Sequence, residues 1–314
     1  MQLLKIFHNT HDFYSTKNTI VTIGTFDGVH IGHQKIIQKI VQNAISQNLD
    51  SVILTFFPHP RMVLTAQSDI KLLNTIDEKS FLLEKNGIQN LIIQKFDNQF
   101  SELSAESFVK NILVDQLKVK KIIIGHDHRF GKNRSANIDD LIIFGKKYNF
   151  DVEQIPAEEV SDVAVSSTKI RNAIADGNIN LANEYLGYNY QLTGKVIAGK
   201  QLGRTLGFPT ANIEIAENYK SIPKNGVYVV KSNIDDKTVF GIMNVGVKPT
   251  FDDKKLTIEV YFLDFEADLY HKNLTIELLT YLREEKKFDN LASLKTQIES
   301  DKQNAIQYLS KNNY

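Results

Sequence analysis

Two hydrophobic rhythms divide this chain, and they limit what it can fold into. Through residue 186, apolar runs of strand length alternate with stripes at helical spacing. Thr19–Ile23 is short and β-branched, and Ile36, Ile37, Ile40, Val41, Ala44 and Ile45 then recur as one helical face. Ser51–Phe57 is a second strand, stopped by Pro58 and Pro60. Thr75 and Glu78 have capping-box spacing before Phe81, Leu82 and Leu83, and Gly87 can close that helix. Leu91–Ile93, Lys121–Ile124 and Asp151–Ile155 read as further strands, with helices over Phe108–Leu117 and Ile138–Tyr148 between them. Five strands separated in this way predict an α/β fold, a parallel sheet covered on both faces. After Gly187 the helices drop out. Leu192–Ile197, Ala211–Ile215, Val227–Lys231, Val239–Asn244, Leu256–Leu263 and Leu274–Leu282 predict an antiparallel sheet or barrel. A helix from Leu291 to Leu309 follows, with Asp289 as the expected cap and Leu291, Leu294 and Ile298 as its packing face. The expected domains are therefore 1–186 and 187–314.

Ligands of open parallel sheets bind beyond the carboxyl ends of the strands. Three unusual stretches sit at such ends: Thr25–His33, Pro58–Arg61 and Gly125–Arg134. The first lies in I-G-T-F-D-G-V-H-I-G-H, where Gly24, Gly28 and Gly32 allow a tight turn and close backbone approach. His30 and His33 stand where a helix begins, and helix N–H groups with imidazole donors suit a phosphate. The plainer alternative is a glycine turn with two surface histidines. Neither a Walker loop nor a G-x-G-x-x-G fingerprint is present. T-F-F-P-H-P (Thr55–Pro60) offers two rings and His59, or simply a proline-stiffened strand end. G-H-D-H-R-F-G (Gly125–Gly131) offers cationic and aromatic groups for a phosphorylated planar ligand, or a solvated loop. In V-S-S-T-K-I-R (Val165–Arg171), Ser167 and Thr168 could cap a short helix, with Arg171 one turn along.

The second half has its own phosphate candidate. Gly199, Gly203 and Gly207, with Lys200 and Arg204, make a cationic flexible loop. Pro209 then leads into a strand on which Thr210 and Asn212 share a face, where two oxygen donors could ligate Mg²⁺. An ordinary loop and strand start fits the same residues. In Leu256–Phe262, Leu256, Ile258, Val260 and Phe262 alternate with Thr257, Glu259 and Tyr261, so Glu259 faces away from the apolar side.

The motifs together resemble one family. H-I-G-H (His30–His33) resembles the H-x-G-H signature of the nucleotidyltransferases, and G-T-F-D-G-V-H-I-G-H, T-F-F-P-H-P, G-H-D-H-R-F-G and S-S-T-K-I-R resemble the adenylyltransferase half of the bacterial bifunctional riboflavin kinase/FAD synthetases. G-R-T-L-G-F-P-T-A-N and I-E-V-Y-F-L-D-F resemble their riboflavin kinase half. The resemblance spans nearly the whole chain. It implies a Rossmann-like nucleotidyltransferase domain and then a β-barrel kinase domain with a terminal helix. It implies riboflavin, FMN and ATP as substrates and Mg²⁺ as the metal. His30, His33 and Arg171 would handle ATP phosphates, assisted by Ser167, Thr168 and the loop carrying Phe26. His59, Asp127, Arg129 and Phe130 would lie on the FMN side, and Glu259 would be the kinase base. Phe57 and His128 depart from the pattern, standing where an acidic residue and a phenylalanine are more usual.

Composition sets the remaining bounds. Formal net charge is zero, so no global field draws the chain to nucleic acid or to an anionic membrane, and a nucleic-acid-binding barrel finds no basic aromatic stripe. No cysteine is present, which excludes disulfide and thiolate chemistry. No apolar run reaches membrane-spanning length and the first residues lack a signal-peptide core, so a cytoplasmic enzyme is expected. Oligomeric state is not legible in the sequence. A single-activity adenylyltransferase, the rival enzyme class, would leave the second half without a task.

Overall fold

The computed structural model describes residues 3–65, 68–125, 128–156, 165–199, 203, 206–249 and 254–314. Two compact units emerge, Met1–Ser167 and Thr168–Tyr314.

The first unit is built on six parallel strands: β1 (Lys5–Phe7), β2 (Thr19–Ile23), β3 (Asp50–Phe57), β4 (Asn90–Lys95), β5 (Val119–Gly125) and β6 (Asp151–Ile155). Their order is β1-β4-β3-β2-β5-β6. Ile20, Val21, Val52, Ile53, Leu54, Leu91, Ile92, Ile122 and Ile123 are all fully buried. Strands with neighbours and helices on both faces need such unbroken apolar runs. The sequence shows five of the six strands. The sixth, β1, is a three-residue edge strand with Lys5 and Ile6 exposed, too short to carry a period of its own. Helix α1 (Ile31–Gln47) follows β2, and α2 (Ile76–Lys85) has the expected capping box between Thr75 and Glu78. Next come α3 (Phe108–Gln116), of π type, and α4 (Ile138–Tyr148).

Sheet order matters most at β2. Strands β3 and β4 lie to one side of it, β5 and β6 to the other, so the winding reverses between β2 and β5. A crevice opens beyond the strand ends at such a point. The three unusual stretches follow β2, β3 and β5, which are immediate neighbours in the sheet.

Helix α5 (Ser167–Ala175) begins at the division between the units, and α6 (Ile179–Leu186) ends at Gly187 in a left-handed cap. Beyond Ser167, both count with the second unit. Asn183 on α6 donates to the Leu278 carbonyl at 2.9 Å and accepts from the Tyr190 amide at 2.7 Å. The change of rhythm at Gly187 thus marks the end of a helix, twenty residues beyond the division between compact units.

Six antiparallel strands close the second unit into a barrel of order β10-β11-β8-β7-β12-β9. They are β7 (Gln191–Ile197), β8 (Ala211–Glu214), β9 (Gly226–Ile234), β10 (Lys237–Pro249), β11 (Lys254–Phe262) and β12 (Asn273–Arg283). Closure removes the sheet edges that six short strands would otherwise expose. Helix α7 (Leu291–Lys311) is capped by Asn290 instead of Asp289, because Asn290 Oδ1 accepts from the Ser293 amide at 2.8 Å. Its buried face also differs from expectation. Ala305 and Leu309 pack on Val227, Val229 and Leu279, while Leu291 is 53% exposed.

Candidate active sites

Gly24 N–H donates to the Leu54 carbonyl at 3.1 Å, extending the sheet by one bond before the chain turns. The turn is tight: Phe26, Gly28 and Val29 have φ of 47°, 88° and 36°. Only Gly28 adopts that region without steric cost, so the rest of the loop must be held from outside. Several bonds hold it. Asp27 Oδ1 accepts the Leu73 amide at 2.8 Å, the Asp27 carbonyl accepts Ser167 Oγ at 2.8 Å, and Gln34 Nε2 donates to the Val29 carbonyl at 2.9 Å. Ser167, the last residue of the first unit, thus helps to hold this loop.

His30 is the N-cap of α1, its Nδ1 accepting the His33 amide at 3.4 Å. An accepting Nδ1 leaves the proton of the neutral ring on Nε2. The His33 amide is thus taken, while those of Ile31 and Gly32 occupy helix positions with no intrahelical acceptor. The rings of His30 and His33 stack at 3.7 Å, and His33 lies 4.9 Å from the Phe26 ring. His33 is half-buried, but its Nδ1 is enclosed and has no hydrogen-bond partner.

Desolvation fixes the charge state of this pair. Burial pulls His30 down to about 4, and burial together with the charges of His30 and Lys79 holds His33 well below the usual imidazole range. Both rings are neutral at pH 7. The sign for stability follows. Between pH 6.5 and about 4 the unfolded chain takes up a proton that folded His30 refuses, so stability is complete above 6.5 and declines as pH falls. In His30→Asn, the loss of unfolding free energy between pH 7 and pH 4.5, measured by urea titration, should shrink by about 2 kcal/mol.

The other expected residues of this half are distributed as follows. His59 caps the short helix Pro60–Leu64, its Nδ1 accepting the Arg61 amide at 3.1 Å. Arg129 is exposed, and Phe130 is buried with its ring 6.0 Å from Phe108 and 6.1 Å from the stacked His128. Asp127 lies outside the described residues. Arg171 and the exposed Thr168 sit on α5 in the second unit, the guanidinium donating to Thr168 Oγ1 at 3.4 Å. Lys79 had no place in the sequence reading. Its only signal was a lysine at core spacing, three and four residues ahead of the buried Leu82 and Leu83.

In the barrel, Thr210 Oγ1 lies 3.3 Å from Glu259 Oε2, and Glu259 pairs with Asn212 across β11 and β8. Ile258, Val260 and Phe262 are buried as their alternation predicts, but Leu256, near the strand end, is 40% exposed. Two cavities flank this paired segment. One of about 270 Å³ is lined by Thr210 and Glu259 with Phe208, Ile242, Tyr261 and Ile298. The other, of about 490 Å³, is lined by Asn212 and Gly199 with Glu214, Asn218 and Lys220. At Gly199 a Cβ would overlap the Asn212 side-chain amide, so a larger residue here would have to displace that amide. The Phe208 amide donates to the Gly203 carbonyl at 2.8 Å, and Gly207 has a left-handed φ of 87°. Lys200 and Arg204 lie outside the described residues. Arg283 grips Asp301 of α7 through bonds of 2.8 and 2.6 Å, fixing the helix that walls the first cavity. No cluster of three or more His, Cys, Asp or Glu side chains that could hold a metal occurs among the described residues.

An open α/β unit with helix amides and two neutral imidazoles at its switch point, followed by a barrel that gathers a hydroxyl, an amide and a carboxylate at Thr210, Asn212 and Glu259, is the layout of a two-unit phosphotransferase. Residues 13–169 match the FAD synthetase family model and residues 186–309 the riboflavin kinase model. The chain belongs to the bifunctional riboflavin kinase/FMN adenylyltransferase family. The relative from Listeria monocytogenes is 38% identical, covering 96% of each chain, and that from Escherichia coli K12 is 33% identical, covering 98% of each. Among solved structures, a crystal structure described as a macrolide-efflux protein from Streptococcus pneumoniae shares the fold, with TM-score 0.86 and 30% identity over 96% of this chain and 98% of that one. No helix among the described residues is long and apolar enough to cross a membrane.

Proposed function

We propose that this chain phosphorylates riboflavin to FMN in its barrel and adenylylates FMN to FAD in its α/β unit, with ATP as donor in both reactions. The observation that carries this reading is that the candidate phosphate residues fall into two groups, one lying within residues 13–169 except for Arg171 just beyond, the other within 186–309, as the two family models do. As functional segments, 1–186 and 187–314 remain the division we adopt.

In the kinase step, a ribityl hydroxyl oxygen bonds to the γ-phosphorus of ATP as the bond to the ADP oxygen breaks. That hydroxyl must shed a proton. Glu259, lining the mainly apolar cavity that suits an isoalloxazine ring, is the base we assign. The Asn212 cavity, which Gly199 also lines, lies across the paired strands and suits the nucleotide. Thr210 and Asn212 offer hard oxygen donors that fit Mg²⁺, and we assign them to hold it; the ion would neutralise phosphate charge there. Gly199, Lys200, Gly203, Arg204 and Gly207 are the residues we assign to the phosphates.

The adenylyl step has other needs. A phosphate oxygen of FMN bonds to the α-phosphorus and pyrophosphate leaves. A phosphate monoester has a second pKa of about 6 and arrives largely ionised, so no base is required. Positioning and donors to the developing charge suffice. His30, His33, Arg171, Ser167 and Thr168 are the ATP-side residues we assign, and His59, Asp127, Arg129 and Phe130 the flavin-side ones. Action in the cytoplasm, where ATP is at hand, goes with this reading.

Incubating the full chain with riboflavin, ATP and Mg²⁺ and separating the flavins by chromatography tests it. FMN should appear first and FAD after it. Accumulation of FMN with no FAD on prolonged incubation, or no flavin product at all, would refute the two-step reading.

A further inference from the structure

Beneath the first-unit mouth lies a charge that the adenylyl step as described does not use. Lys79 is only 3% exposed, and its Nζ donates to the Thr25 carbonyl at 2.8 Å. Thr55 Oγ1 donates to the same carbonyl at 3.1 Å. Asp27, 2% exposed, attracts the Lys79 ammonium, and Asp27 is itself fixed by the Leu73 amide. The lysine thus grips the start of the loop whose Phe26 and Val29 adopt left-handed backbone.

A carbonyl alone does not call for a lysine. A buried ammonium is costly, and a neutral donor such as Thr55 meets the same acceptor without that cost. What a lysine adds is charge. The two histidines at the head of α1 do not provide it, because His30 and His33 are both neutral at pH 7 and each ring contributes a single N–H. A triphosphate carries several negative charges, and the amides of one helix end amount to only about half a unit of positive charge. The field of Lys79 reaches the site, since it helps keep the proton off His33.

We propose that Lys79 is a positioning residue for adenylyl transfer. Its buried ammonium clamps the Thr25–His30 loop through the Thr25 carbonyl and supplies the positive field that two neutral histidines do not. The proposal rests on the reading that this mouth takes the phosphates of ATP.

The protonation of Lys79 then matters within the working range. Burial lowers it to about 8 against the opposing pull of Asp27. The titratable groups around it are Asp27 on the loop, His30 and His33 on α1, and Glu78 on its own helix, which is bound to the Thr75 amide. The two histidines lose their protons well below pH 7, so a fall in rate above about pH 8 belongs to the lysine.

The test uses the full chain, with FAD formation from supplied FMN measured against ATP from pH 6.5 to 9.5. In the wild type, kcat/KM for ATP should fall about tenfold per pH unit above about pH 8. Lys79→Met should lower kcat/KM at pH 7 by roughly 10²-fold, the size expected when a reacting group shifts by about 1 Å, and should lose the alkaline limb. Riboflavin phosphorylation by the same variant should stay within twofold of wild type. A folded Lys79→Met that forms FAD within threefold of wild type, or that keeps the limb, overturns the proposal. Should that variant not fold, Lys79→Gln is compared in the same way, and a flat wild-type profile to pH 9.5 overturns the proposal without any variant. A wild type that forms FMN but no FAD refutes the underlying reading instead.

Discussion

Glu259→Gln is expected to slow riboflavin phosphorylation by roughly 10²–10⁴-fold, the usual worth of general-base assistance. The substitution keeps the side chain's shape and its capacity to accept from Thr210, 3.3 Å away. It removes the one property that matters for a hydroxyl nucleophile, a carboxylate able to take its proton. Glu259 is half-buried on β11 between buried Ile258 and Val260, so the backbone that aims it is fixed by packing on both sides. FAD formation from supplied FMN should be unchanged, since that nucleophile arrives ionised. Rates are read at saturating ATP and Mg²⁺, with riboflavin binding followed by flavin fluorescence. A variant that binds riboflavin and phosphorylates it within a fewfold of wild type would reduce Glu259 to a solvated strand residue.

That contrast between two nucleophiles could be drawn from the sequence, because each site's backbone is written in local signals. Strand-length β-branched runs, helical stripes and one intact capping box placed β2, β3, α1 and α2, and the alternation along Leu256–Phe262 aimed Glu259 correctly. What escaped was decided by tertiary pairing. Strand β1 consists of three residues, held by Asn90–Ile92 of a strand more than eighty residues away, and nothing within K-I-F announces it. The cap of α7 fell on Asn290 because two adjacent residues were equally good caps and only the register to Ser293 chose between them. The change in rhythm at Gly187 marks a functional segment, while the compact units part at Ser167 and Thr168; α6 counts with the barrel, bound to β12 through Asn183, a contact between segments distant in the chain. Charge was the least legible property. H-I-G-H shows two imidazole donors without showing their charge; burial leaves both neutral, and the buried cation Lys79 belongs to no motif.

The neutrality of the histidines shapes the second large effect, that of His33→Ala. A neutral ring serves a phosphate as a hydrogen-bond donor, and a preorganised donor to developing charge is worth roughly 10²–10³ in kcat. The His33 amide is already committed to His30 Nδ1, and its ring is the surface on which the His30 ring stacks at 3.7 Å. Removing the ring therefore takes away one donor and loosens a second. FAD formation from FMN should fall by at least about 10³-fold, with the loss chiefly in kcat because the donors act on charge that grows in the transition state. A loss confined to KM for ATP would instead assign His33 to uniform substrate binding. Riboflavin phosphorylation should remain within twofold of wild type, since the barrel's Thr210, Asn212 and Glu259 belong to the other compact unit. If both activities fell equally in a variant with native circular dichroism and an unchanged melting temperature, the two reactions would have to share one ATP site. Two separate ATP sites would then be the wrong account.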